Sequence, residues 1–239
     1  MVTGMKIILV PGFWLDASSW SAVTPTLIEA GHDVQALTLP GLEAVDADRS
    51  GIGLRDHIDA VIGAVDAADV PVVLVGHSGA GAMIHAAADA RPDRIARSIY
   101  VDSVPLGEGG FITDEYPAVG DSVPLPEWDA FEPEDLVDLT DEVREAFRAR
   151  AIPEPYRVMV DKQELHDERR YDVPSTVIAC EFTSQQLREW MAGGAPFVRE
   201  LSHLHDLELV DLPTGHWPQF TKPTELAAAI LAAVSRTQT

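Results

Sequence analysis

Two residues of this 239-residue chain join reactive side chains to a telling setting: Ser78 and His216. Ser78 lies in Val72-Val73-Leu74-Val75-Gly76-His77-Ser78-Gly79-Ala80-Gly81, an apolar run that passes straight into small residues. A buried strand that turns sharply into a helix forces the turn residue into a strained backbone conformation and lifts its side chain clear of the sheet. A serine held this way is an exposed nucleophile; the alternative is a plain helix N-cap. Gly76 and Ala80, two residues to either side, are small enough for strand and helix to touch, although glycine is the more usual residue at the second position. The Gly79 N–H falls at the helix start, where it can donate to an oxyanion.

His216 lies in Pro213-Thr214-Gly215-His216-Trp217-Pro218, directly after the last apolar run. A near-neutral imidazole on such a loop can take the serine proton and return it to a leaving group. The other histidines are weaker candidates. The side chain of His77 is expected to point away from its neighbour Ser78, and His85 falls among alanines at helical spacing. His203-Leu204-His205-Asp206 invites a metal reading, but Leu207 and Glu208 stand where a metallo-hydrolase pattern would need aspartate and histidine. No metal and no cofactor are expected.

These residues need a frame, and the hydropathy pattern supplies one. Apolar runs at Lys6–Val10, Asp33–Leu39, Pro71–Val75, Ile95–Val101, Pro174–Cys180 and Leu207–Leu212 read as strands. Helical patterns alternate with them: Ser18 or Ser19 to Ala30, Gly53–Ala67, Gly79–Ala90, Ser184–Met191 and Thr224–Ser235. Alternation of this kind predicts an α/β fold, a mostly parallel, doubly wound sheet of about six strands with helices on both faces. The periodicity fails between Pro105 and Tyr171, where prolines and acids dominate and Asp141–Arg150 is the one clear helix. A structureless loop of that length is unusual in a compact domain. The expectation is a helical cap over 105–171 inserted into a core of 1–104 and 172–239.

Composition narrows the class further. Seventeen basic against 39 acidic residues leave a net charge of −22, which repels nucleic acid and anionic membranes. No apolar stretch reaches the ~20 residues of a membrane span, and Pro11-Gly12 ends the apolar run near the N-terminus too soon for a signal peptide. The single cysteine, Cys180, excludes an intramolecular disulfide and fits a reducing, cytoplasmic setting. The expected partners are a small-molecule substrate and, at most, a second copy of the chain in a homodimer.

With Leu9-Val10-Pro11-Gly12-Phe13-Trp14, Trp20 and Tyr100-Val101-Asp102-Ser103-Val104-Pro105 added to the serine and histidine segments, the sequence resembles the α/β-hydrolase family over essentially its whole length. The likeness is to the compact branch of plant methylesterases, hydroxynitrile lyases and bacterial esterases. It implies a second oxyanion donor in the Phe13 N–H. Pro11 departs from the histidine usual in that loop, but a backbone donor survives the change. It also implies a triad acid, with two candidates. The commoner loop reads Cys180-Glu181-Phe182-Thr183-Ser184, with Thr183 where the aspartate would fall and Glu181 early in the turn. The other location is after the preceding strand, where Asp102 stands at the sheet's C-terminal edge. Asp102 is the first choice and Glu181 the alternative. Phe13, Trp14, Trp128 and Trp217 are expected pocket walls. The implied activity is hydrolysis of a small, moderately apolar carboxylic ester through an acyl-enzyme on Ser78. The rivals are a non-hydrolytic or biosynthetic enzyme of the fold (lyase, cyclase or thioesterase) and a non-catalytic ligand-binding member. Hydroxynitrile lyases carry a lysine directly after the histidine; Trp217 stands there instead, which argues against a cyanide lyase.

Overall fold

The computed structural model describes residues 4–238. In chain order the elements are β1 (Lys6–Val10), α1 (Thr24–Glu29), β2 (Asp33–Ala36), α2 (Leu54–Asp66), β3 (Val72–His77), α3 (Ala80–Ala90) and β4 (Ile95–Val101). The middle segment carries β5 (Ser122–Val123), α4 (Asp141–Arg150), β6 (Glu154–Pro155) and α5 (Tyr156–Val160). The chain closes with β7 (Ser175–Ala179), α6 (Ser184–Ala192), β8 (Leu207–Asp211), α7 (Pro218–Thr221) and α8 (Pro223–Ser235).

Six strands form one sheet in the order β2-β1-β3-β4-β7-β8, and every pairing in it is parallel. Strands buried on both faces are apolar throughout rather than alternating. Alternate residues still go to opposite faces: Ile8, Val10, Val72 and Leu74 join one core with α2 and α3, whereas Ile7, Leu9, Val73 and Val75 join the other with Leu27 of α1 and Leu226 and Ile230 of α8. The chain reverses its direction of travel across the sheet between β1 and β3. The loops leaving these neighbouring strands therefore part, and a crevice opens at their C-terminal ends.

Residues 105–171 carry more than short helices, because β5 and β6 pair antiparallel at Ser122–Pro155 and Val123–Glu154. Val123, Phe147, Ile152, Val158 and Met159 of this segment are buried in the same apolar cluster as Ile8 and Leu74. The helix expected from Ser18 to Ala30 is divided. A 3-10 turn at Ala17–Trp20 is capped by Asp16, and α1 begins afresh with Pro25 in its first turn. Proline suits a first turn, where its missing N–H costs nothing. β2 ends at Ala36, three residues short of the expected Leu39. Among the described residues no helix is long and apolar enough to cross a membrane.

Candidate active site

The turn between β3 and α3 places Ser78 at φ +54°, the left-handed strain expected of a sharp strand-to-helix corner. Its N–H donates to Val101 O at 3.1 Å, and Ser103 Oγ donates to its carbonyl. Gly76 makes the corner feasible: a Cβ there would lie 2.9 Å from Ala80 O. Ser78 Oγ is 2.7 Å from His216 Nε2. On the far side of the ring, Nδ1 is 2.7 Å from Asp102 Oδ2. The fully buried Asp102 carboxylate accepts from Nδ1–H, so in the neutral ring Nε2 is left as the acceptor for the serine hydroxyl.

Asp102 stands just beyond β4 at φ +44°. Its other oxygen accepts from the N–H groups of Cys180 at 2.9 Å and Glu181 at 3.1 Å. The turn after β7 is thus tied to the carboxylate that holds the histidine. Glu181 is not too early in its turn to reach the imidazole, as its sequence position suggested. Its Oε2 lies 3.2 Å from Nδ1 yet makes no hydrogen bond, because Nδ1–H is directed at Asp102. Glu181 supplies charge and Asp102 supplies the bond. Burial disfavours the imidazolium of His216, but the Asp102 hydrogen bond and the two negative charges outweigh it and raise the pKa above the ordinary histidine value.

The histidine loop is held from two further sides. His216 N–H donates to Asp135 O at 2.8 Å and Gly215 N–H to Val137 O at 3.1 Å, so the middle segment clamps the loop. The Asp135 carboxyl sits beside Glu181; burial first, then the Glu181 carboxylate beside it, push it up to about 6. From below, His77 Nε2 is 2.6 Å from His216 O, and Gln219 Nε2 is 3.3 Å from His77 Nδ1. Burial and the His216 charge press the pKa of His77 down to about 3, so it stays neutral, with Nε2–H donating. The contacts of His77 go to His216 O and Gln219, and this place under the histidine loop was not read from the sequence.

Neither the Phe13 nor the Gly79 N–H has an acceptor within the described residues. The Phe13 ring lies against Gly79: a Cβ there would come within 2.7 Å of it. Phe13 and Trp14 leave β1 on one lip of the crevice and Ser78 leaves β3 on the other. The cavity above them has a volume of about 620 Å³. Phe13, Trp14 and Trp217 line it, as expected, but Trp128 does not. Trp128 packs edge-on behind Trp217, ring centroids 6.1 Å apart, beneath the Arg148 guanidinium. Its position in a proline-rich stretch gave no means of telling a wall from the layer behind it. Phe111, Tyr116, Phe131 and Trp190 were not foreseen as walls. Asp102, Glu115, Asp135 and Glu181 also line the cavity, and no lysine or arginine does among the described residues.

Asp102, Glu181 and His216 present ligand-type atoms within 4.8 Å of one another. The histidine and Asp102 atoms are already engaged: Nδ1–H with Asp102 Oδ2, and Asp102 Oδ1 with two amides. His85, among the alanines of α3, is buried. Its Nε2 is 2.9 Å from Glu200 and its Nδ1 3.1 Å from the Tyr100 hydroxyl. Cys180 is buried behind Asp102, and its thiol pKa is raised, by burial first and the neighbouring carboxylates second.

A curated relative, the carbendazim hydrolyzing esterase of Nocardioides sp. (strain SG-4G), is 26% identical, over 95% of this chain and 98% of its own. The extracellular alpha/beta-hydrolase from a Paenibacillus species is 21% identical with a TM-score of 0.75, over 96% of this chain and 98% of its own. The methylesterase MES16 from Arabidopsis is 20% identical with a TM-score of 0.75, over 97% and 99%. A pyrethroid hydrolase from Sphingobium faniae JZ-2 is 22% identical with a TM-score of 0.69, over 99% and 100%. At these identities the solved structures speak for the fold. Residues 7–229 match the alpha/beta hydrolase family, and the chain belongs to that family.

Proposed function

We propose that the chain is a serine esterase that cleaves a small, moderately apolar carboxylic ester through an acyl-enzyme on Ser78. One observation carries this reading: Ser78 Oγ, His216 and Asp102 form a continuous line of two 2.7 Å contacts on the floor of an aromatic cavity. Ser78 Oγ attacks the ester carbonyl while its proton passes to His216 Nε2. The new charge on the carbonyl oxygen is met by the Phe13 and Gly79 N–H groups, which are unpaired before substrate arrives. Asp102 holds the tautomer and stabilises the imidazolium. His216 then protonates the departing alkoxide, and the acyl group stays on Ser78. Water, deprotonated by the same imidazole, attacks the acyl carbon and releases the acid.

The relatives named for esterase and methylesterase activity support this reaction class. The cavity supports the substrate class, because aromatic walls favour apolar acyl or alcohol groups and its carboxylates, with no lysine or arginine facing them among the described residues, disfavour anionic ones. The test is pre-steady-state hydrolysis of p-nitrophenyl acetate and butyrate. The expected result is a burst of nitrophenol equal to the enzyme concentration, lost in Ser78→Ala. Steady turnover without dependence on Ser78 would overturn the reading.

A further inference from the structure

Trp14 follows the proposed oxyanion donor Phe13 and is held at φ +63°, a left-handed conformation that a bulky residue adopts only where its surroundings impose it. Three contacts impose it, all from the middle segment. Trp14 N–H donates to Glu154 Oε2 at 3.2 Å, Ile152 N–H donates to Trp14 O at 2.9 Å, and the indole N–H donates to Val123 O at 3.0 Å.

Glu154, at the start of β6, is 1% exposed. Its second oxygen, Oε1, has no hydrogen-bond partner, and neither has His57 Nδ1. These two orphaned atoms face each other at 3.8 Å. The other ring nitrogen of His57 is 2.8 Å from Pro40 O, and a carbonyl can only accept, so that nitrogen carries the proton. In the neutral ring, Nδ1 is then a bare lone pair. A lone pair facing a carboxylate oxygen is repulsive; a lone pair facing a carboxyl O–H is a hydrogen-bond acceptor. One proton on Glu154 Oε1 reconciles both atoms. The charge felt at Glu154 is that of Arg49, whose guanidinium is engaged by the carbonyls of Pro153, Ala44, Ala47 and Val45 rather than by Glu154, while Asp56 and Glu43 act on His57.

We infer that Glu154 is a positioning residue of the oxyanion hole. Its neutral carboxyl accepts from the Trp14 N–H and turns its O–H toward His57 Nδ1 across the 3.8 Å gap, fixing the strained residue beside Phe13. The proton preferences agree. Burial drives Glu154 up to about 8 and His57 down to about 4, so both are neutral at pH 7. This inference rests on the esterase reading for its consequence on rate, but the protonation state stands apart from it.

The experiment compares Glu154→Gln, Glu154→Leu and the parent in two measurements. A glutamine reproduces a neutral carboxyl, with one acceptor for Trp14 and one donor for His57. Glu154→Gln is expected to keep kcat for p-nitrophenyl butyrate within about twofold. Glu154→Leu should lose about tenfold or more in kcat with KM little changed, because a displaced donor weakens transition-state binding. Infrared difference spectra of parent minus Glu154→Gln at pH 7 should contain a protonated-carboxyl C=O band. If that band is absent, or Glu154→Gln loses as much kcat as Glu154→Leu, the inference is overturned. It is equally overturned if a folded Glu154→Leu retains full kcat. A parent that turns over no ester would sink the esterase reading and leave the infrared result to decide the state of Glu154.

Discussion

Asp102 and Glu181 both approach His216 Nδ1, and substitution should separate their roles. Asp102→Asn replaces the acceptor of Nδ1–H with a group that can donate, which favours the wrong tautomer. Turnover should fall on the order of 10⁴-fold. Glu181→Gln removes charge but no hydrogen bond, so its loss should be much smaller; the reverse ranking in kcat would contradict the geometry. Charge has a second consequence. The two carboxylates favour the imidazolium, whereas the reaction needs the neutral ring, so activity is lost as pH falls through the raised His216 pKa. Removing one negative charge lowers that pKa. The acid limb of kcat/KM in Glu181→Gln should therefore shift to lower pH; an unmoved limb would show that Glu181 is not felt at the ring. Ser78 and His216 were legible because each sits in a short local pattern. The approach of Glu181 was not, because the direction of a side chain in a turn depends on the amides around it, here those that bind Asp102.

At the scale of elements, the loops of the site are held from outside the sheet. The backbone of residues 135–137 clamps the histidine loop, and Val123, Ile152 and Glu154 clamp Trp14. Phe147 of α4, 1% exposed, packs on Trp217 at 5.3 Å and on Phe220. Phe147→Ala should cost about 3–5 kcal/mol of stability. It should also reduce turnover below the unfolding midpoint, because the residue after His216 loses its support; chemical denaturation alongside kcat measures both. β1, β4 and α4 were legible to the residue: β1 is an apolar run ended by Pro11-Gly12, β4 starts just after Pro92, and α4 has helical spacing. The pairing of β5 with β6 was not: two-residue strands carry no period, and Pro155 argues locally against a strand. Pro25 divided a helix whose apolar spacing ran on past it.

Over the whole molecule, charge and buried protons should be visible in bulk measurements. With a net charge of −22 and four carboxylates lining the cavity, an ester bearing a carboxylate should show lower kcat/KM than its neutral isostere. The gap should narrow as salt shortens the Debye length below ~8 Å; equal rates at low salt would contradict the field. Stability should also carry the mark of Glu154. Its pKa rises on folding from the ordinary 4.5 to about 8, so the native state retains a proton that the unfolded chain gives up. That contribution is fully present below 4.5 and is lost as pH climbs toward 8. Glu154→Gln lacks this titration, so its Tm should gain on the parent's across that interval; parallel Tm curves would mean the carboxyl does not change state. The parallel sheet with helices on both faces follows from the alternation of elements, which is why the overall fold was readable. The central claim, that Ser78 is the nucleophile, is tested most directly by intact-mass and peptide-mapping analysis after treatment with a fluorophosphonate. The account predicts a single phosphonyl adduct on Ser78, absent from Ser78→Ala and strongly slowed in His216→Ala. Labelling on another residue, or equal labelling of Ser78→Ala, would contradict it.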